Sequence, residues 1–115
     1  MSKDCLFCRI VRGELEADRV AEGSRWVAIR DVNPQAPIHV LVIPREHVES
    51  LNEMDSERAE LAGELLLAAR EVAEQEGLAE AGYRVVANTN RDGGQTVPHL
   101  HLHLLGGRSM RWPPG

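Results

Sequence analysis

Residues 98–105 run Pro-His-Leu-His-Leu-His-Leu-Leu, so His99, His101 and His103 alternate with leucines. A period of two is that of a β-strand, and it sends the three imidazoles to one face and the leucines to the other. Imidazole titrates near neutral pH, ligates metals, and serves as a base or nucleophile. Burying several imidazoles together demands a partner for every ring nitrogen. That cost points to a site rather than to a core. His-x-His on a strand is also how zinc enzymes hold their metal, so the spacing alone leaves metal and nucleophilic chemistry both open.

The residues just upstream favour an anion. Asp92-Gly93-Gly94-Gln95-Thr96 supplies two glycines, an amide and a hydroxyl. Glycine lets the backbone approach a phosphate closely, and Gln95 and Thr96 can donate to its oxygens. On its own Asp-Gly-Gly is an ordinary hairpin turn, and no Gly-Lys-Ser/Thr follows to make a P-loop. At the other end of the chain stand its two cysteines, Cys5 and Cys8, spaced C-x-x-C. No strand precedes them, which disfavours a thioredoxin-like motif and leaves metal binding or chance.

The elements that must position these groups follow from pattern. Leu6 and Ile10 stand four apart with Gly13 beyond, which predicts a short helix. Residues 19–22 and 25–31 flank Gly23 and read as a hairpin. Asn33-Pro34 and Ala36-Pro37 force a loop, after which Ile38–Ile43 is a β-branched run ended by Pro44, expected as a central strand buried on both faces. Asp55 is the expected N-cap of the one long helix. Leu61, Leu65, Ala69 and Val72 form its apolar stripe, Ala62, Leu66 and Ala73 lie beside it, and Gly77 ends it. Tyr83–Asn88 and residues 100–105 are the last strands, joined by a glycine-containing loop over 90–96. The order predicts an α+β domain with a mainly antiparallel sheet.

At 115 residues, the chain fits one domain. Apolar residues make up 43%, with only four aromatics among Phe, Trp and Tyr, so the core is aliphatic. Thirteen basic against eighteen acidic residues give a charge of −5, which opposes a nonspecific nucleic-acid binder. The N-terminal MSKDCLFCRI has no run suited to a signal peptide and no later segment suits a bilayer, so cytoplasmic residence without membrane or nucleic-acid partners is the expectation.

With these segments in view, the chain resembles the histidine triad (HIT) hydrolases, Hint branch of nucleoside phosphoramidases. The resemblance rests on "DCLFCRIVRGE" at 4–14, "DVNPQAPIHVLVIPREHV" at 31–48, "DGGQTVPHLHLHLLGGR" at 92–108 and "RWPPG" at 111–115. It implies a HIT-like five-stranded antiparallel sheet with one long and one short helix, spanning 1–115 as a single domain and continued across a homodimer. It implies hydrolysis of purine nucleoside phosphoramidates to a nucleoside monophosphate and an amine. His101 would be the nucleophile that becomes nucleotidylated, His103 would assist at the phosphate, and His39 would support them. Gly94, Gln95 and Thr96 would hold phosphate oxygens, with Thr96 standing where serine is common. Asp31 would receive the ribose hydroxyls; by pattern alone it is a strand-end cap. Leu6, Phe7, Ile10, Leu15, Ile29 and Val32 would pack the base, although pattern alone makes them core. Asn88 would lie on the phosphate or leaving-group side, and Trp112 near the partner's site.

Bacterial-type relatives that keep the cysteines imply structural zinc on Cys5, Cys8, His47 and His99, a closed tetrahedral set. Pro98 departs from the bulky residue usual beside the first histidine. A purine-nucleotide-binding regulatory module, a dinucleoside polyphosphate hydrolase and a hydrolase with zinc on the triad itself remain as alternatives.

Overall fold

The computed structural model describes residues 5–115; residues 1–4 of the expected domain lie outside them. Its elements are α1 (Leu6–Val11), β1 (Arg19–Glu22), β2 (Trp26–Arg30), β3 (Ile38–Pro44), α2 (Ala59–Gln75), β4 (Tyr83–Val86), a single helical turn α3 (Asn90–Gly93) and β5 (Leu102–Gly106). The five strands form one sheet in the order β1-β2-β3-β5-β4, and each neighbouring pair is antiparallel. The α+β reading and the short-helix, hairpin, long-helix order hold.

β3 is the central strand, and period two divides its side chains between two layers. Val40 and Val42 face α2 with Trp26, Ala28, Leu100, Leu102 and Leu104, packed on Leu61, Leu65, Ala69 and Val72. Leu41 and Ile43 face the other way with Val27 and Ile29, under Phe7 and Ile10 of α1. The aliphatic layer is therefore the foundation, and the α1 layer carries the histidines.

Some details differ from the sequence expectation, among them the end of β4 at Val86 rather than Asn88. Asp55 caps a 3-10 turn, Ser56–Arg58, through its side chain to Glu57 N–H, and α2 follows from Ala59. Leu66, expected beside the apolar stripe, is 58% exposed. The last strand begins at Leu102, because β3 and β4 offer no partners upstream: the ladders end at Val42 opposite Leu102 and at Val86 opposite His103. Before that point the chain bends away, and Leu100 N–H donates instead to Val48 O at 2.6 Å. The alternation survives the bend: leucines 100, 102 and 104 stay in the α2 layer.

Candidate functional site

The first cluster gathers three segments. Cys5 caps α1 and its thiol accepts from Cys8 N–H, His47 follows β3, and His99 precedes β5. Cys5 Sγ lies 3.2 Å from His99 Nδ1, Cys8 Sγ 3.2 Å from His47 Nδ1 and 3.5 Å from His99 Nδ1, and the two imidazole Nδ1 atoms are 3.1 Å apart. All four ligand atoms fall within 4.8 Å of one another, close enough to bind one metal ion. The far nitrogen of His99 settles its tautomer: Nε2–H donates to Pro44 O at 2.9 Å, which leaves the Nδ1 lone pair aimed at the thiols. A ligand ring held by a backbone carbonyl is the usual outer support of a metal site. Two thiols and two imidazoles are the donor set of a closed, structural zinc site. The residues fit the group.

The second cluster has the opposite polarity. Gln35 N–H donates to His39 Nδ1 at 3.0 Å, so the proton of neutral His39 sits on Nε2. That N–H donates to His103 Nδ1 at 2.9 Å and lies 3.4 Å from Asp31 Oδ2. His103 Nδ1 is thus an acceptor, and its own proton is on Nε2. Asp31, His39 and His103 also bring three possible ligand atoms together. Here the tautomer opposes a metal, since His39 Nε2 holds the proton that Gln35 denies to Nδ1. Burial holds His103 down to about 4, helped by His101 and His39 and opposed by Asp31. Burial likewise lowers His39, with Asp31 pulling the other way.

His101 lies between the clusters. Its Nδ1–H donates to His99 O at 2.7 Å, leaving the Nε2 lone pair available. Burial lowers its pKa, against the His99 carbonyl and Asp31, so the ring is neutral and nucleophilic near pH 7. Its centroid is 5.0 Å from that of His103 and 5.0 Å from Phe7, met edge-on. An acceptor nitrogen and a donor N–H therefore stand side by side.

Both rings open onto a cavity of about 690 Å³ lined also by Leu6, Phe7, Ile10, Leu15, Ile29, Asp31, Val32 and Thr96. Most of the residues expected around a nucleotide thus share one wall system. Glu16, Ala17, Asp18, Arg30, Leu41 and Val97 line it too and were not foreseen; for Leu41, period-two parity with His39 was the available signal.

Four expected residues are absent from this wall. Gln95 is committed to the loop: its Oε1 accepts from Asn90 N–H, and its Nε2 donates to Glu49 O and Val97 O. Gly94, at φ +80°, turns the chain out of α3. Asn88 lies beneath that turn, its backbone 3.5 Å from where a side chain on Gly93 would begin. Trp112 is 82% exposed, with the Arg84 guanidinium 6.0 Å from its ring. A loop residue's direction depends on the turn it enters, which the sequence pattern does not specify.

The HIT domain family matches residues 12–110. An HIT-like protein of Synechococcus elongatus is 55% identical over the full length of both chains. The purine nucleoside phosphoramidase of Escherichia coli is 44% identical over 96% of this chain and 92% of its own. Among solved structures, an HIT family hydrolase of Legionella pneumophila superposes with a TM-score of 0.95 at 50% identity, covering 96% of this chain and 99% of that one.

Proposed function

The chain belongs to the HIT domain family and is a hydrolase of HIT type, and from that premise we propose that it hydrolyses purine nucleoside phosphoramidates through a nucleotidyl-His101 intermediate. The observation that carries the reading is the polarity of the pair: His101 offers a lone pair at Nε2 and His103 an N–H at Nε2, both on one cavity wall. The name of the Escherichia coli relative supplies the substrate class.

In this reading the base lies among Leu6, Phe7, Ile10, Leu15, Ile29 and Val32, and Asp31 accepts the ribose hydroxyls. Thr96 donates to a phosphate oxygen. His101 Nε2 attacks phosphorus as the bond to the leaving nitrogen breaks. The amine departs neutral, taking a proton from the His39–His103 pair. The bound phosphate's negative charge raises the pKa of these rings, so that the pair carries that proton. Water then breaks the phosphorus–His101 bond and returns the proton, giving monophosphate and amine overall.

Cys5, Cys8, His47 and His99 would hold zinc, which would tie α1 to the triad segment and leave the chemistry to the imidazoles. Thiolate ligands fit a reducing, cytoplasmic setting. We assign a homodimer through α2 and β4: Leu66 and Leu67 are 58% and 57% exposed, and Leu66 lines an apolar groove with Leu51, Met54, Ala62 and Val85 of the edge strand β4.

A panel of adenosine and guanosine phosphoramidates against dinucleoside polyphosphates tests the assignment. Phosphoramidates are expected to turn over fastest, and His101→Gly to lower that turnover about 10⁴-fold. Wild-type turnover in His101→Gly, or cleavage of polyphosphates alone, contradicts it.

A further inference from the structure

We propose that metal at Cys5, Cys8, His47 and His99 and nucleotide in the cavity bind with positive coupling, although none of these four residues lines the cavity. The proposal rests on reading the cavity as a nucleotide site. Two physical links carry it, and both start at metal ligands.

The first link is the backbone of His99. Its ring belongs to the metal cluster, while its N–H donates to Val97 O at 2.8 Å and its carbonyl accepts His101 Nδ1–H at 2.7 Å. The carbonyl that orients the His101 ring is thus part of a ligand residue. Moving the His99 ring turns the peptide that fixes both the tautomer and the direction of His101. Val97, its hydrogen-bond partner, is itself on the cavity wall.

The second link is α1. Cys5 caps this six-residue helix and Cys8 lies within it, and a helix so short has little stability of its own. Between and beyond the two thiols it presents Leu6, Phe7 and Ile10 to the cavity. Phe7 meets the edges of both His99, at 5.8 Å, and His101, at 5.0 Å. One ring therefore touches a ligand, the proposed nucleophile and the proposed base pocket.

A metal at this cluster would tie three distant segments together. The four ligand atoms, from α1, from residue 47 beyond β3 and from residue 99 before β5, lie within 4.8 Å of one another, with the His47 and His99 Nδ1 atoms 3.1 Å apart. With the metal removed those coordinate ties are lost, and α1 and the His99 carbonyl are held less firmly. Nucleotide binding selects the closed arrangement, and by linkage it must tighten metal binding by the factor by which metal tightens nucleotide binding.

AMP titrations of zinc-loaded and zinc-depleted protein, with zinc-buffer titrations in the presence and absence of saturating AMP, measure this factor. We expect the AMP Kd to rise at least about fivefold on zinc removal, and the zinc Kd to fall by the same factor with AMP. Cobalt(II)-substituted protein gives a readout that needs no metal-free state: AMP is expected to shift its thiolate and d–d absorption bands. Equal AMP affinity in both folded forms, or cobalt bands and zinc affinity indifferent to AMP, overturns the coupling. Failure of AMP to bind the zinc-loaded protein overturns the nucleotide reading itself, and the coupling with it.

Discussion

Two histidine clusters lie about His101, and they differ in what holds the far side of each ring. In one, a carbonyl accepts from His99 Nε2 and leaves a lone pair facing two thiols. In the other, an amide donates to His39 Nδ1 and leaves an N–H facing His103 and Asp31. The same side chain is fitted to face a metal or to pass a proton according to a single backbone group. Residue type therefore says that chemistry is possible, and the outer partner says which chemistry. His101 takes from the first cluster its tautomer, through the His99 carbonyl, and has beside it the donor that the second prepares.

The contrast is open to direct attack. The largest expected effect is on the metal side: Cys8→Ala should lose bound zinc and destabilise the fold by at least about 3 kcal/mol, read by metal analysis and denaturant unfolding. His39→Gln should retain a full complement of zinc in the same assay; metal loss there would merge the two clusters. On the other side, His103→Gln should lower turnover about 10²-fold or more while the nucleotidyl adduct on His101 still forms.

Acid adds a third test. His103 sits near 4 in the fold against about 6.5 when unfolded. Between those values the unfolded chain binds more protons, so stability is fully present above about pH 6.5 and falls as pH drops towards 4. The half-buried ring limits the loss to about 1–3 kcal/mol. Unfolding curves of wild type and His103→Gln should therefore diverge across this window, and parallel curves would remove the buried neutral ring. The smallest effect belongs to Gln95. As a brace between residues 49, 90 and 97 it should cost about 1 kcal/mol on change to Ala, with turnover within a few fold of wild type.

Much of this was readable in the chain because it depends on periodicity. The alternation at 99–105 placed leucines in the α2 layer and histidines opposite, even where the ladder gives out before Leu102. The run 38–43 is buried on both faces, as its composition required. The metal set came from resemblance to a family, since nothing in the spacing of Cys5, Cys8, His47 and His99 brings three distant segments together. Gln95 bonds within its own loop for a local reason: the sequence offers an amide beside two glycines, but the left-handed turns at Asn90 and Gly94 decide where it points. Glu16 and Asp18 reach the cavity because the chain folds back between α1 and β1, a path that no strand or helix period encodes.

The central claim is that one ring between the two clusters carries the reaction. Acid-free quenching of the enzyme during turnover of an adenosine phosphoramidate, followed by peptide mass mapping, tests it most directly. The account predicts an adenylyl adduct on His101 alone, and an adduct on His39 or His103, or none during steady turnover, would contradict it.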